Sequence, residues 1–145
     1  MMTRSFLVLL ALLMLVPFAT PAAPATCTDP CTVSARSAGY VLPVVTIASG
    51  QSIVFSSADV GHNTADGTGV GGGGNCFGVA SSPGSDAPPV TLTIVGASLV
   101  ASYQDSDGRG HSGACASATA LPSGGFVVPF YCKLHTNMRG SIVVS

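Results

Sequence analysis

Cys132, His135 and Met138 follow one another as Cys-x2-His-x2-Met inside PFYCKLHTNMRG, residues 129–140. A tight turn between two strands can aim all three side chains at one point. Thiolate and imidazole both suit copper, and the methionine thioether is a soft donor that zinc seldom takes. Two histidines and one cysteine in a trigonal set, with a weak axial methionine, are the donors of electron-transfer copper. The turn supplies one histidine, so the other must come from elsewhere. His62, in Gly61-His62-Asn63 about 70 residues upstream, is the candidate. The third histidine, His111 in DGRGHSG, has no companion donor and reads as an exposed loop residue. Taken singly, each residue has a plainer role: Cys132 a buried free thiol, His62 a loop residue, His135 surface and Met138 core. The joint spacing is what argues for a metal.

The elements that must position these residues read as strands. Beyond the N-terminal segment there is no glutamate, a single lysine and no apolar spacing at three and four residues. Strand signals recur instead, at 41–47 (VLPVVTI), 51–56 (QSIVFS), 90–95 (VTLTIV), 99–103 (LVASY), 126–131 (FVVPFY) and 141–144 (SIVV). Short strands with Gly and Pro between them indicate an all-β sandwich or barrel. Residues 66–75 (DGTGVGGGGN) and 105–115 (DSDGRGHSGAC) read as loops. The glycine tract lacks the Lys-Ser/Thr ending and following helix of a phosphate cradle, so no nucleotide is expected.

Met1 to Ala25 holds one arginine, an apolar run over 6–18 and a small-residue exit at Ala23-Pro24-Ala25. That order is a secretory signal peptide, and the run is shorter than the roughly 20 residues of a membrane span. Residues 1–25 are therefore read as the signal, 26–39 as an N-terminal disulfide-containing segment and 40–145 as one domain. The remaining charges, six aspartates against four basic residues, form no basic face for nucleic acid. Five cysteines in an oxidising compartment leave one over. If Cys132 is the leftover, Cys27, Cys31, Cys76 and Cys115 make two disulfides, with three connectivities open. Cys27–Cys31 and Cys76–Cys115 are the expected pairs, because the first two sit together in a short N-terminal loop.

The YCKLHTNMRGSIVV stretch, with the His62-Asn63 pair upstream, resembles the cupredoxins, the plastocyanin- and azurin-like type 1 blue copper proteins. The two-residue gap between His135 and Met138 is most similar to amicyanin. The resemblance implies a Greek-key β-sandwich or barrel holding one copper ion through His62, Cys132, His135 and Met138. It also implies an electron carrier, not an enzyme, secreted or periplasmic and expected to be a monomer. Asn63 would tie the histidine strand to the ligand loop, and the Gly61 carbonyl would approach the copper. A redox partner would dock near His135. The glycine-rich insert, Cys76 and Cys115 depart from bacterial amicyanins. Two rivals remain on the same residues: a protein that stores or delivers copper, and a structural domain that has lost redox work. A multicopper enzyme needs more histidines than the three in this chain.

Overall fold

The structure, a computed structural model, describes residues 25–69, 76–105, 107–135 and 137–145. The expected signal peptide, apart from its last residue, and residues 70–75 of the glycine tract lie outside them. The strands in chain order are β1 (Ala25–Thr26), β2 (Cys31–Arg36), β3 (Gly39–Tyr40), β4 (Val44–Ile47), β5 (Ser52–Ser57), β6 (His62–Asp66) and β7 (Gly78–Ser81). They continue as β8 (Val90–Val95), β9 (Ser98–Gln104), β10 (Gly110–Ala114), β11 (Thr119–Ala120), β12 (Phe126–Cys132) and β13 (Arg139–Val144). Among the described residues there is no helix.

Two mixed sheets form an all-β sandwich. One runs β1-β4-β13-β12-β6-β7, with β11 also paired to β12; the other runs β10-β9-β8-β5-β2-β3. The parallel pairs, β1 with β4, β4 with β13 and β2 with β5, join strands distant in sequence. The chain therefore crosses repeatedly between the two layers. Alternation supplies the inner faces. In β12, Phe126, Val128, Phe130 and Cys132 are buried while the residues between them are less so. In β8, Val90 and Leu92 point inward. Phe55, Phe77 and Phe130 are fully buried and meet at the centre, Phe55–Phe130 at 5.1 Å edge to face and Phe55–Phe77 at 5.9 Å stacked. Each such ring contributes about 1.5–3 kcal/mol by leaving water.

Two sequence expectations need correction. The 41–47 strand is only Val44–Ile47, because Pro43 has no N–H to extend the ladder; its carbonyl instead accepts from Ser141 N at 2.7 Å. Residues 105–115 are not all loop, since β10 pairs along β9 from Gly110↔Gln104 to Ala114↔Val100. Every β10 residue is exposed, so no apolar period marked it as a strand. The first two cysteines flank the short loop expected around them, between β1 and β2, and Cys31 opens β2. There Cys31, Val33 and Ala35 face the core and pair with β5.

Pro129 sits inside a strand flanked on both sides, where proline is disfavoured. Its carbonyl faces the β6 side, accepting from Gly67 N at 2.7 Å, and its nitrogen faces the same way. The bond it cannot donate falls opposite Gly67, one residue past the end of β6 at Asp66, so the loss is confined to the end of that ladder.

Candidate metal centre

Cys132 is the last residue of β12, fully buried, and its register partner on β6 is Thr64. His62 lies two residues before Thr64, on the same inward face, and is 2% exposed. Strand pairing thus brings two residues 70 apart in the chain to one end of the sandwich. The turn after Cys132 supplies the rest. Met138 N donates to His135 O at 2.8 Å, and Cys132 N donates to Met138 O at 3.1 Å, closing a compact loop. Lys133 N donates to Asn63 O at 2.8 Å, which ties that loop to the histidine strand through the main chain. Gly61 immediately precedes β6, and a Cβ there would meet the Ser81 carbonyl oxygen only at ordinary contact distance, 3.5 Å. Gly140 lets β13 leave the loop, because a Cβ there would collide with the Phe130 ring and the Pro43 carbonyl.

The donor atoms converge. The Nδ1 atoms of His62 and His135 each lie 3.5 Å from the Cys132 sulfur, and the potential ligand atoms of the three residues all fall within 4.8 Å of one another. The two imidazoles are tilted at 53° with centroids 5.0 Å apart. Two donors on one first-row metal, with bonds of about 2.3 Å to sulfur and about 2.0 Å to nitrogen at a tetrahedral angle, sit about 3.5 Å apart. The residues present therefore fit a metal ion. Met138 is buried beside them, and Met138 and His135 both border a cavity of about 440 Å3 with Ser37, Ala38, Leu134 and Asn137.

Burial, and next the charge of His135, hold the His62 imidazole below its ordinary value, with Asp59 opposing. A neutral imidazole keeps the lone pair that a metal requires. The far nitrogen of His62, Nε2, is buried with no hydrogen-bond partner among the described residues. Behind the site, Tyr40 and Thr64 share a buried hydroxyl–hydroxyl bond of 2.9 Å, and burial raises the Tyr40 phenol well above its usual range. Neither residue carries a signal in the sequence, since their contact exists only once β3 and β6 face each other.

The structure joins Cys27 to Cys31 and Cys76 to Cys115, and Cys132 remains a free, buried thiol. His111 stays away from the cluster. It is exposed on β10, its Nε2 is 2.8 Å from the Asp105 carboxylate, and its ring stacks on Tyr103. Another group escaped the sequence. The Asp66 carboxylate is fully buried and accepts from Cys76 N, Phe77 N and the Ser117 hydroxyl.

No family model and no curated protein matches the sequence. Solved structures do. A tryptophan-to-tyrosine variant of amicyanin in its reduced state aligns over 86% of this chain and 95% of its own, at 17% identity and a TM-score of 0.51. Amicyanin from Paracoccus versutus aligns over 88% and 86%, at 19% identity and a TM-score of 0.49. The Cu(I) form at pH 4 of a proline-to-glycine variant of amicyanin aligns over 86% and 85%, at 18% identity and 0.49. With two mixed sheets in this order and an alignment that spans nearly all of the amicyanin variant, the chain has the cupredoxin fold.

Proposed function

We propose that this protein is a secreted or periplasmic type 1 copper protein that carries single electrons, with His62, Cys132, His135 and Met138 as ligands of one copper ion. The observation that carries the reading is the convergence of both Nδ1 atoms on one buried thiol, each at 3.5 Å, with Met138 on the same turn. Two imidazoles, a thiolate and a thioether are a donor set that favours copper over zinc or the hard cations. When bound, the ion supplies a one-electron couple between Cu(I) and Cu(II). The chain's own contribution is rigidity. His62 is held in a paired strand, Cys132 at the end of another, and the loop between Cys132 and Met138 is laced by main-chain bonds. Donors that cannot move far keep the rearrangement between oxidation states small.

His135 is the more exposed of the two histidines, and its neighbour Leu134 is 63% exposed. An electron would leave through the His135 ring to a partner protein docked over this apolar tip. As a carrier the protein makes and breaks no covalent bond of its own, and no enzyme activity is assigned to it.

The test is the mature protein purified without metal and titrated with Cu(II). One equivalent should bind and produce an intense visible thiolate-to-copper band, and voltammetry should give a reversible one-electron wave. A folded protein that stays colourless and takes up no copper would overturn the reading. A bound ion that cannot be cycled would replace the carrier by a protein that stores or delivers copper.

A further inference from the structure

His62 is delivered to its strand by a crossover, residues 58–61, which carries the chain from β5 in one sheet to β6 in the other. Asp59 lies on that crossover, exposed to solvent. Its carboxylate is nonetheless filled by protein donors. Ser37 N donates at 3.0 Å to both oxygens, the Ser37 hydroxyl donates to Oδ2 at 2.9 Å, and Val60 N donates to Oδ1 at 2.9 Å. Water satisfies an exposed carboxylate well enough, so solvation does not demand these bonds. Their effect is positional.

The β2–β5 ladder runs as far as Ala35↔Ser57, with one more bond from Ala58 N to Ala35 O at 3.1 Å. Past that point both chains turn away and main-chain pairing stops. Asp59 continues the tie by side chain, reaching from the crossover to the turn between β2 and β3. That turn is one wall of the cavity beside the metal centre, where Ser37 and Ala38 face Leu134, His135, Asn137 and Met138. One residue thus connects the segment that brings His62 with the wall opposite His135.

We propose that Asp59 is a positioning residue, a latch that holds the Ser37–Ala38 wall against the ligand loop, limits access to Cys132 and keeps one negative charge beside His62. The Ser37 N–H and hydroxyl hold its carboxyl below the ordinary aspartate value, so the charge persists through the neutral range. The latch is a property of the folded chain without metal. Only its electrostatic part rests on the copper reading, and the two parts are measured separately.

The first measurement uses metal-free protein and the rate at which iodoacetamide alkylates Cys132, which is fully buried. Asp59→Ala should raise that rate at least about tenfold, as expected for local opening, with little dependence on low denaturant. Ser37→Ala, which removes the hydroxyl bond and leaves both main-chain ones, should fall between. Ser49→Ala removes a bond from Ile94 N at the opposite end of the sandwich and serves as the control for general destabilisation. An Asp59→Ala rate equal to wild type, or a rise that Ser49→Ala matches or that climbs with denaturant like global unfolding, would overturn the latch. The second measurement is the reduction potential of copper-loaded Asp59→Asn. Removing a negative charge disfavours the oxidised ion, so the equilibrium should move about twofold to threefold toward the reduced form at low salt and recover as ionic strength rises. An unchanged potential at low salt would overturn the electrostatic part, while failure to bind copper at all would defeat the proposed function and leave the alkylation result standing.

Discussion

Two regions of the molecule each pair histidine with an ionisable neighbour, and they do opposite things with it. In one, His62 is buried against a thiol and a second imidazole, with its Nδ1 aimed into the cluster. At the β9–β10 turn His111 is exposed, and its ring nitrogen is occupied by the Asp105 carboxylate. Two aspartates show the same contrast. Asp66 is fully buried with three protein donors, whereas Asp105 caps a solvent-exposed turn through Asp107 N, Arg109 N and His111. The lesson is that residue type does not assign a role. Burial removes competing partners, and convergence of donor atoms makes an imidazole a candidate ligand; an exposed imidazole beside a carboxylate is a surface contact of small energetic weight.

The contrast is most exposed to failure at Cys132. Cys132→Ser should abolish the visible band on copper addition, with the fold retained by circular dichroism; a surviving band would mean the thiolate lies elsewhere. Next comes a matched pair of histidine variants. His62→Ala should weaken copper binding by at least about 100-fold, since a direct ligand matters no less than the hydrogen bonds that support one. His111→Ala should leave binding unchanged, and equal losses in competition titrations would erase the distinction between the two regions. The aspartates provide a third comparison. Asp66→Ala leaves two buried N–H groups and a hydroxyl unpaired and should cost about 3 kcal/mol in urea unfolding.

Met138→Leu should keep the band and raise the potential, because a donor that favours the higher-charged ion is gone; loss of the band would make Met138 more than an axial ligand. The smallest effect belongs to Asp105. Its hydrogen bond with His111, and then the Arg109 N–H, hold its folded value below the ordinary aspartate one. The resulting stability is complete above about pH 4 and is lost as pH falls through the lower folded value. The difference in thermal midpoint between wild type and Asp105→Asn should accordingly be constant near neutrality and shrink in acid. A difference that grew in acid would reverse the assignment.

Legibility in the sequence followed chemical distinctiveness and periodicity. The Cys132–His135–Met138 spacing could be read directly because a tight turn is a local object. Strands with alternating apolar residues, such as 90–95 and 126–131, were also visible. β6 was not, because HNTAD has no apolar alternation and becomes a strand only between β12 and β7. β10 was hidden for a similar reason, being held by main-chain bonds at an edge where no side chain is buried. Asp66, Asp59 and the Tyr40–Thr64 pair are ordinary polar residues whose partners lie 10 to 51 positions away, and no local pattern announces such bonds.

By itself the sequence determined the chemistry available: an odd number of cysteines, a thiol, a thioether and an imidazole on one short turn, and strand periods that indicate a β architecture. Tertiary structure decided how the distant histidine reaches them. Sequence context already favoured His62 over His111, but it is the pairing of β6 with β12 that carries His62 to the thiol while His111 is left at a solvent-facing edge. The physical reason is that ligand convergence depends on strand register across the sandwich, which is set by burial of whole faces rather than by any neighbouring residue.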